Sequence, residues 1–199
     1  MIGTKRSKRP RYLREWSVAF AYLVLLVVLA VAAPRFYRAD QLRSFFVSNA
    51  SILTAALGMT LVIVARQIDI SVGSQFSICG VVAGLLAKSG LPMPAVAFGT
   101  LLAGSAMGAL NGFLVAVVGL PSIVVTLGTL VILRESLRWW REGEFVYNLP
   151  AGFQWFGLGQ ETGQWVLVLI AATFFVLMAW GTRNLSGLRA IYAVGSDQE

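Results

Sequence analysis

An all-α fold, a polytopic transmembrane helical bundle, is predicted by three features of this 199-residue sequence. Hydrophobic residues make up 57% of it and charged residues 13%, with a mean hydropathy of +0.75, well outside the range of an ordinary soluble domain. The apolar residues gather into runs close to the ~20 residues that a helix needs to cross a bilayer. The charges gather at the edges of those runs.

The elements follow in order. Residues 1–15 form a basic arm holding six of the sixteen Lys and Arg. SVAFAYLVLLVVLAVAAP comes next, ends at Pro34 and Arg35, and lacks a small-residue cleavage site. It therefore reads as an uncleaved first helix and not a signal peptide. Further runs lie near 48–65, 74–88, 93–119, 122–138 and 164–181, giving six spans. The connection 139–163 carries Trp139, Trp140, Trp155 and Trp165 at or near its ends, where indole rings favour the headgroup layer.

The basic arm sets the expected orientation, with the N-terminus cytoplasmic and an even number of spans returning the tail to the same side. Nine Lys or Arg then lie inside and seven outside. The Arg134, Arg138 and Arg141 group fits this topology least well. The net charge of +7 is thus read as a topology signal, with no nucleic acid as partner. The bilayer is the expected surroundings.

Several chemistries are excluded. The chain has no histidine, so neither an HExxH zinc site nor a Ser/His/Asp triad is available. None of its nine acids sits in the middle of an apolar run, which disfavours proton-coupled carriers and intramembrane aspartyl proteases. There is no GxxxxGK[ST], so energy for active transport must come from a partner. No cofactor or metal is expected, and the lone Cys79 leaves no intrachain disulfide. No catalytic site is expected in this chain.

Two motifs stand out. In GSAMGALNG, Gly104, Gly108 and Gly112 share one helical face and allow close backbone packing. Beside them, Asn111 wants a hydrogen-bond partner, either on another helix or along a pathway. In ARQIDISVGS the charges of Arg66 and Asp69 interrupt two runs of only about 15–18 residues, short for a comfortable crossing. Two readings are open. The motif can be drawn into the membrane as a break, with Asp69, Ser71 and Ser74 capping the next helix and Gly73 allowing close approach. Ser71, Ser74, Gln75, Asn111 and Thr126 would then offer polar groups to a solute in a pathway. Alternatively, it is a plain cap at a cytoplasmic boundary, with Arg66 snorkelling to the interface.

Taken together, GMTLVIVARQIDISVGS, LNGFLVAVVGLPSIVVTLGTLVILRE and GLRAIYAVGSDQE resemble signature regions of the sugar-type permease subunits of bacterial ABC importers, the group serving ribose, xylose, rhamnose and the autoinducer sugar. The resemblance runs from about residue 45 to the last residue. RQIDISVGSQ with ICGVVAGLLAKSGLPMP is most similar to rhamnose-type permeases. The family's usual pattern is GGIDLSVGS, so Arg66 and Gln67 stand where it has glycines.

The resemblance implies a multi-pass protein of the bacterial inner membrane. It also implies a second permease copy, a cytoplasmic ABC ATPase and a periplasmic sugar-binding protein as partners. Residues 16–199 would be the N-terminal, incomplete part of a transmembrane domain of about ten spans, and the chain is expected to be a fragment or truncated copy. Arg189, Gly195, Asp197 and Glu199 would stand at the edge of the ATPase contact. The rival readings are a secondary carrier, for which no internal repeat is seen, and a truncated, non-transporting membrane scaffold remnant.

Overall fold

The computed structural model describes residues 13–196; most of the basic arm, together with Asp197 and Glu199, lies outside them. The described residues contain helices and no strands. They form α1 (Leu13–Ala32), α2 (Ala39–Val64), α3 (Val72–Lys88), α4 (Met93–Ala116), α5 (Ser122–Arg141), α6 (Gln160–Asn184) and α7 (Ser186–Ser196). Short 3₁₀ turns occupy Pro34–Tyr37 and Gln154–Gly157. The chain divides into two compact units, Met1–Phe46 and Val47–Glu199.

In the first unit α1 stops where Pro34 has no N–H to continue it. The turn that follows is fixed by the Tyr37 hydroxyl, which donates to the Leu26 carbonyl at 2.8 Å, and by the edge-to-face pair of Phe36 and Tyr37.

The second unit is organised around α3, α4 and α5, which pack on one another. The α3–α4 link turns at Gly90 (φ 84°) and the α4–α5 link at Gly119 (φ 79°). Both sites are left-handed, where glycine carries no Cβ penalty. Pro92 and Pro121 then stand at the N-caps of α4 and α5, where a missing N–H costs nothing. α3 runs antiparallel to α4: late in α3, Leu86 lies against Gly99 near the start of α4. α3 and α5 run parallel, joined by Ser74 early in α3 and Leu130 midway along α5. Farther along, Val146 of the segment after α5 closes over Gly84 of α3.

Burial is the reverse of a soluble core. Ser71, Ser74, Asn111 and Thr126 are buried, while Phe98, Leu101, Phe113 and Ile132 face outward. Such an apolar exterior would aggregate in water and suits hydrocarbon, where buried polar groups hold helices together. Helix hydroxyls are satisfied within their own turns: Thr54, Thr60, Ser77 and Thr100 each donate to the carbonyl four residues back.

The six predicted apolar runs all appear as helices. By length and composition α2, α4 and α6 are able to cross a membrane. α3 has 17 residues and rises about 26 Å, short of the ~30 Å hydrocarbon thickness. α5 continues past the predicted run to Arg141, and any window of spanning length in it includes Arg134, Glu135 and Arg138. α7 was not anticipated; it is a short helix of 11 residues.

Candidate functional site: a polar knot at the α2–α3 break

α2 ends in a left-handed residue. The Arg66 N–H donates to Ile63 O at 2.9 Å and the Gln67 N–H to Val62 O at 3.0 Å, the paired bonds of a Schellman C-cap. Arg66 occupies the residue position with φ 58°, which glycine fills most readily. The family pattern has glycine here, so the arginine adds backbone strain.

The next residues cross from α2 to α3 without helical bonds of their own. Side chains of α5 supply what is missing: the Ile68 N–H donates to Ser122 Oγ at 3.3 Å, and Thr126 Oγ1 lies 3.2 Å from Ile68 O and 2.8 Å from Ser122 O. A non-helical backbone segment among spans survives only when protein or water satisfies it.

Asp69 opens α3. Its Oδ1 accepts the Ser71 N–H at 2.8 Å, an Asx turn that caps the helix from two residues upstream. The expected caps at Ser71 and Ser74 do not form. Ser71 is the N-cap residue but has αR geometry and no side-chain capping bond. Instead its hydroxyl donates to Asp69 Oδ1 and accepts from Gln75 Nε2 at 2.6 Å and from Asn111 Nδ2 at 2.9 Å. One donor and two lone pairs are all a serine hydroxyl has, and here all three are used. Asn111 Oδ1 in turn accepts from Thr129 Oγ1 at 2.7 Å. Ser74 Oγ donates to Leu130 O at 3.0 Å, and Gln75 Nε2 also lies 3.4 Å from Asp69 Oδ2. The knot thus ties the break, α3, α4 and α5 together through one fully buried hydroxyl.

Asp69, Ser71, Gln75 and Asn111 therefore meet directly, and Ser74 and Thr126 bind the same segments to α5. Two members had escaped notice, Ser122 and Thr129. Together with Thr126 they follow an i, i+4, i+7 spacing on α5, which marks one polar face. Ser74 also lines a cavity of about 350 Å³ between α3 and α5, with Gly73, Ser77, Leu130, Arg134 and Leu137.

The glycine face is used unevenly. A Cβ on Gly104 would meet Cys79 Sγ of α3 at 3.3 Å, whereas one on Gly108, Gly112 or Gly73 would meet nothing within 4 Å. Gly195 of α7 lies so close to the end of α2 that a Cβ would overlap the Val64 carbonyl. Arg189 lines a separate cavity with Arg183 and Tyr192. No group of three His, Cys, Asp or Glu side chains among the described residues could hold a metal ion. The knot offers one carboxylate and otherwise neutral hydroxyls and amides, a set suited to hydrogen bonding.

Apolar helices arranged around a hydrogen-bonded helix break define a multi-pass membrane protein. Comparison with known proteins narrows this class. Residues 41–199 match the family described as branched-chain amino acid transport system / permease component, and the chain belongs to that family. Its members are transport subunits and not enzymes. Similar curated proteins include the autoinducer 2 import system permease protein of Salmonella typhi, 32% identical over 188 residues (92% of this chain, 53% of the relative). That of Escherichia coli strain K12 / DH10B is 36% identical over 184 residues (90% of this chain, 53% of the relative). The chain spans about half the length of the curated relatives it matches. No solved structure matches it.

Proposed function

We propose that this chain forms part of the translocation pathway of an ATP-driven ABC importer that carries a small, neutral, sugar-like solute. Family membership is the observation that carries this reading. The relatives named for autoinducer 2 import favour a solute of that kind over rhamnose, which the motif resemblance alone had suggested.

The working assembly would comprise a second permease copy, a cytoplasmic ABC ATPase and a periplasmic binding protein, placed in the bacterial inner membrane with the N-terminus cytoplasmic. Arg189, Gly195, Asp197 and Glu199 would border the ATPase contact. Within the knot the roles would divide by exposure. Half-exposed Asp69 and Gln75, with Ser74 on its cavity, would face the solute's path. Buried Ser71, Asn111 and Thr126 would hold them in place. The permease contributes no covalent chemistry, and selectivity rests mainly with the binding protein.

The test is uptake of labelled autoinducer 2 into cells lacking their own permease and supplied with a related ATPase, binding protein and this chain. Uptake that depends on ATP, persists when proton and sodium gradients are collapsed, and falls in a Gln75→Ala variant of normal membrane abundance is the expected result. Uptake that follows the ion gradients instead would make the protein a secondary carrier, and no uptake of labelled autoinducer 2 would remove the transport reading.

A further inference from the structure

Beyond the knot, the α3–α5 interface opens into a groove. The 350 Å³ cavity shares Ser77, Arg134 and Leu137 with a larger one of about 610 Å³. The larger cavity lies toward the C-terminal ends of both helices, beneath the segment after α5. Three arginines line it, Arg134, Arg138 and Arg141, on one face of α5 by their i, i+4, i+7 spacing. Among the described residues Glu144 is the single lining carboxylate, so the described lining carries three positive charges against one negative.

These cations are poorly neutralised by the protein. Among the described residues no ion pair engages Arg134 or Arg138. Arg141 Nη2 donates to Phe145 O at 3.3 Å, while its Nε is buried and has no partner among the described residues. A buried guanidinium N–H without an acceptor is costly. Apart from Ser77 and glycines, the remaining walls are apolar, formed by side chains such as Val81, Leu137, Val146, Leu149 and Phe153. Trp139 and Trp140, on the same turns of α5 as Arg138 and Arg141, are 84% and 60% exposed. Exposed indoles of this kind favour the headgroup layer.

We propose that this groove is a binding site for the phosphate headgroup of an anionic phospholipid. The arginines meet the phosphate, for which guanidinium forks are well matched, and the apolar walls take the start of the acyl chains. The aromatic residues put the groove at headgroup depth, and that favours a lipid over a free anion. The same site explains why α5 ends in cations that fit the expected topology poorly: they are a recognition element. The proposal does not depend on which solute the protein carries.

The test uses the purified full chain in neutral detergent, mixed with equal amounts of phosphatidylglycerol and phosphatidylcholine of identical acyl chains, with retained lipid read by native mass spectrometry. Phosphatidylglycerol is expected to be retained preferentially. Arg138→Gln is expected to lower its retention about fivefold, the effect of one basic residue at a membrane surface, without changing phosphatidylcholine. Arg183→Gln, at the end of α6, is the control and should leave the preference intact. Equal retention of the two lipids by the unaltered chain overturns the proposal whether or not any variant folds. So does an equal loss in the control, which would mean general charge attraction. Displacement of phosphatidylglycerol by millimolar inorganic phosphate would reassign the groove to a free anion and overturn the lipid reading.

Discussion

Replacing Ser71 with alanine deletes the one hydroxyl on which the break, α3 and α4 converge. Three bonds disappear: the donation to Asp69 and the acceptances from Gln75 and Asn111. Their loss is uneven. Asp69 keeps the Ser71 backbone N–H, and half-exposed Gln75 is free to turn elsewhere. Buried Asn111, however, is left with a stranded donor, at about 1–3 kcal/mol in a protein interior. A second estimate uses hydrogen bonds between membrane helices, which average about 0.6 kcal/mol because the separated helices also find partners. Three such bonds come to roughly 2 kcal/mol on that scale. The two estimates agree on a loss of about 2 kcal/mol, near a thirtyfold shift in the folding equilibrium. Reversible denaturant titration in bicelles, followed by helical circular dichroism, measures it. Ser77→Ala is the matched control, since Ser77 only donates to Gly73 O within α3 and should stay within about 0.5 kcal/mol of the parent. A Ser71→Ala loss no greater than that of Ser77→Ala would refute the hub role. A double cycle with Asn111→Leu should return a coupling of at least about 0.5 kcal/mol.

Two further outcomes are expected from the same assay. Arg66→Gly should stabilise the chain by about 0.5–1 kcal/mol, since it relieves the left-handed site closing α2 and more than offsets glycine's extra entropy in the denatured state; a loss would mean that the arginine side chain contributes contacts outweighing the strain. Gly104→Val should cost about 1–3 kcal/mol by pressing on Cys79 of α3. Gly108→Val, with open space around it, should cost less than about 1 kcal/mol. Equal costs at the two positions would show that another helix covers that face.

The six main helices were readable because each buries backbone bonds that lipid cannot satisfy, so long apolar runs have little choice but helix. α5 outran its predicted end because Trp139, Trp140 and Arg141 continue the helix, where indole rings favour the headgroup layer and no apolar run marks the extension. α7 was missed because 11 residues with polar and apolar faces carry no spanning signal. At the site, residue type picked out Asp69, Ser71, Ser74, Gln75, Asn111 and Thr126, because polar groups flanked by apolar runs demand partners. Their pairing was not legible. Asn111 and Ser71 are 40 residues apart, and nothing in either local pattern names the other. Ser122 and Thr129 went unread for a different reason: hydroxyls on apolar helices usually satisfy themselves on their own turn, and only the recurrence of three on one face separates these from the rest.

The departure at Arg66 and the knot bear on one another. A glycine at that position would leave the end of α2 free of strain, and the break would need little from its neighbours. With arginine there, the left-handed turn persists only if the surroundings hold it. What holds it is visible on both sides: Ser122 and Thr126 fix the Ile68 backbone, and Asp69 locks the first turn of α3. A strained turn clamped by polar bonds from three helices is a place where small displacements of α4 or α5 change the backbone between α2 and α3. In Arg66→Gly the clamp should matter less, so the cost of Ser71→Ala should shrink when measured in that background. An undiminished cost would mean that the knot serves α3 and α4 alone, and that the two features sit side by side without energetic connection.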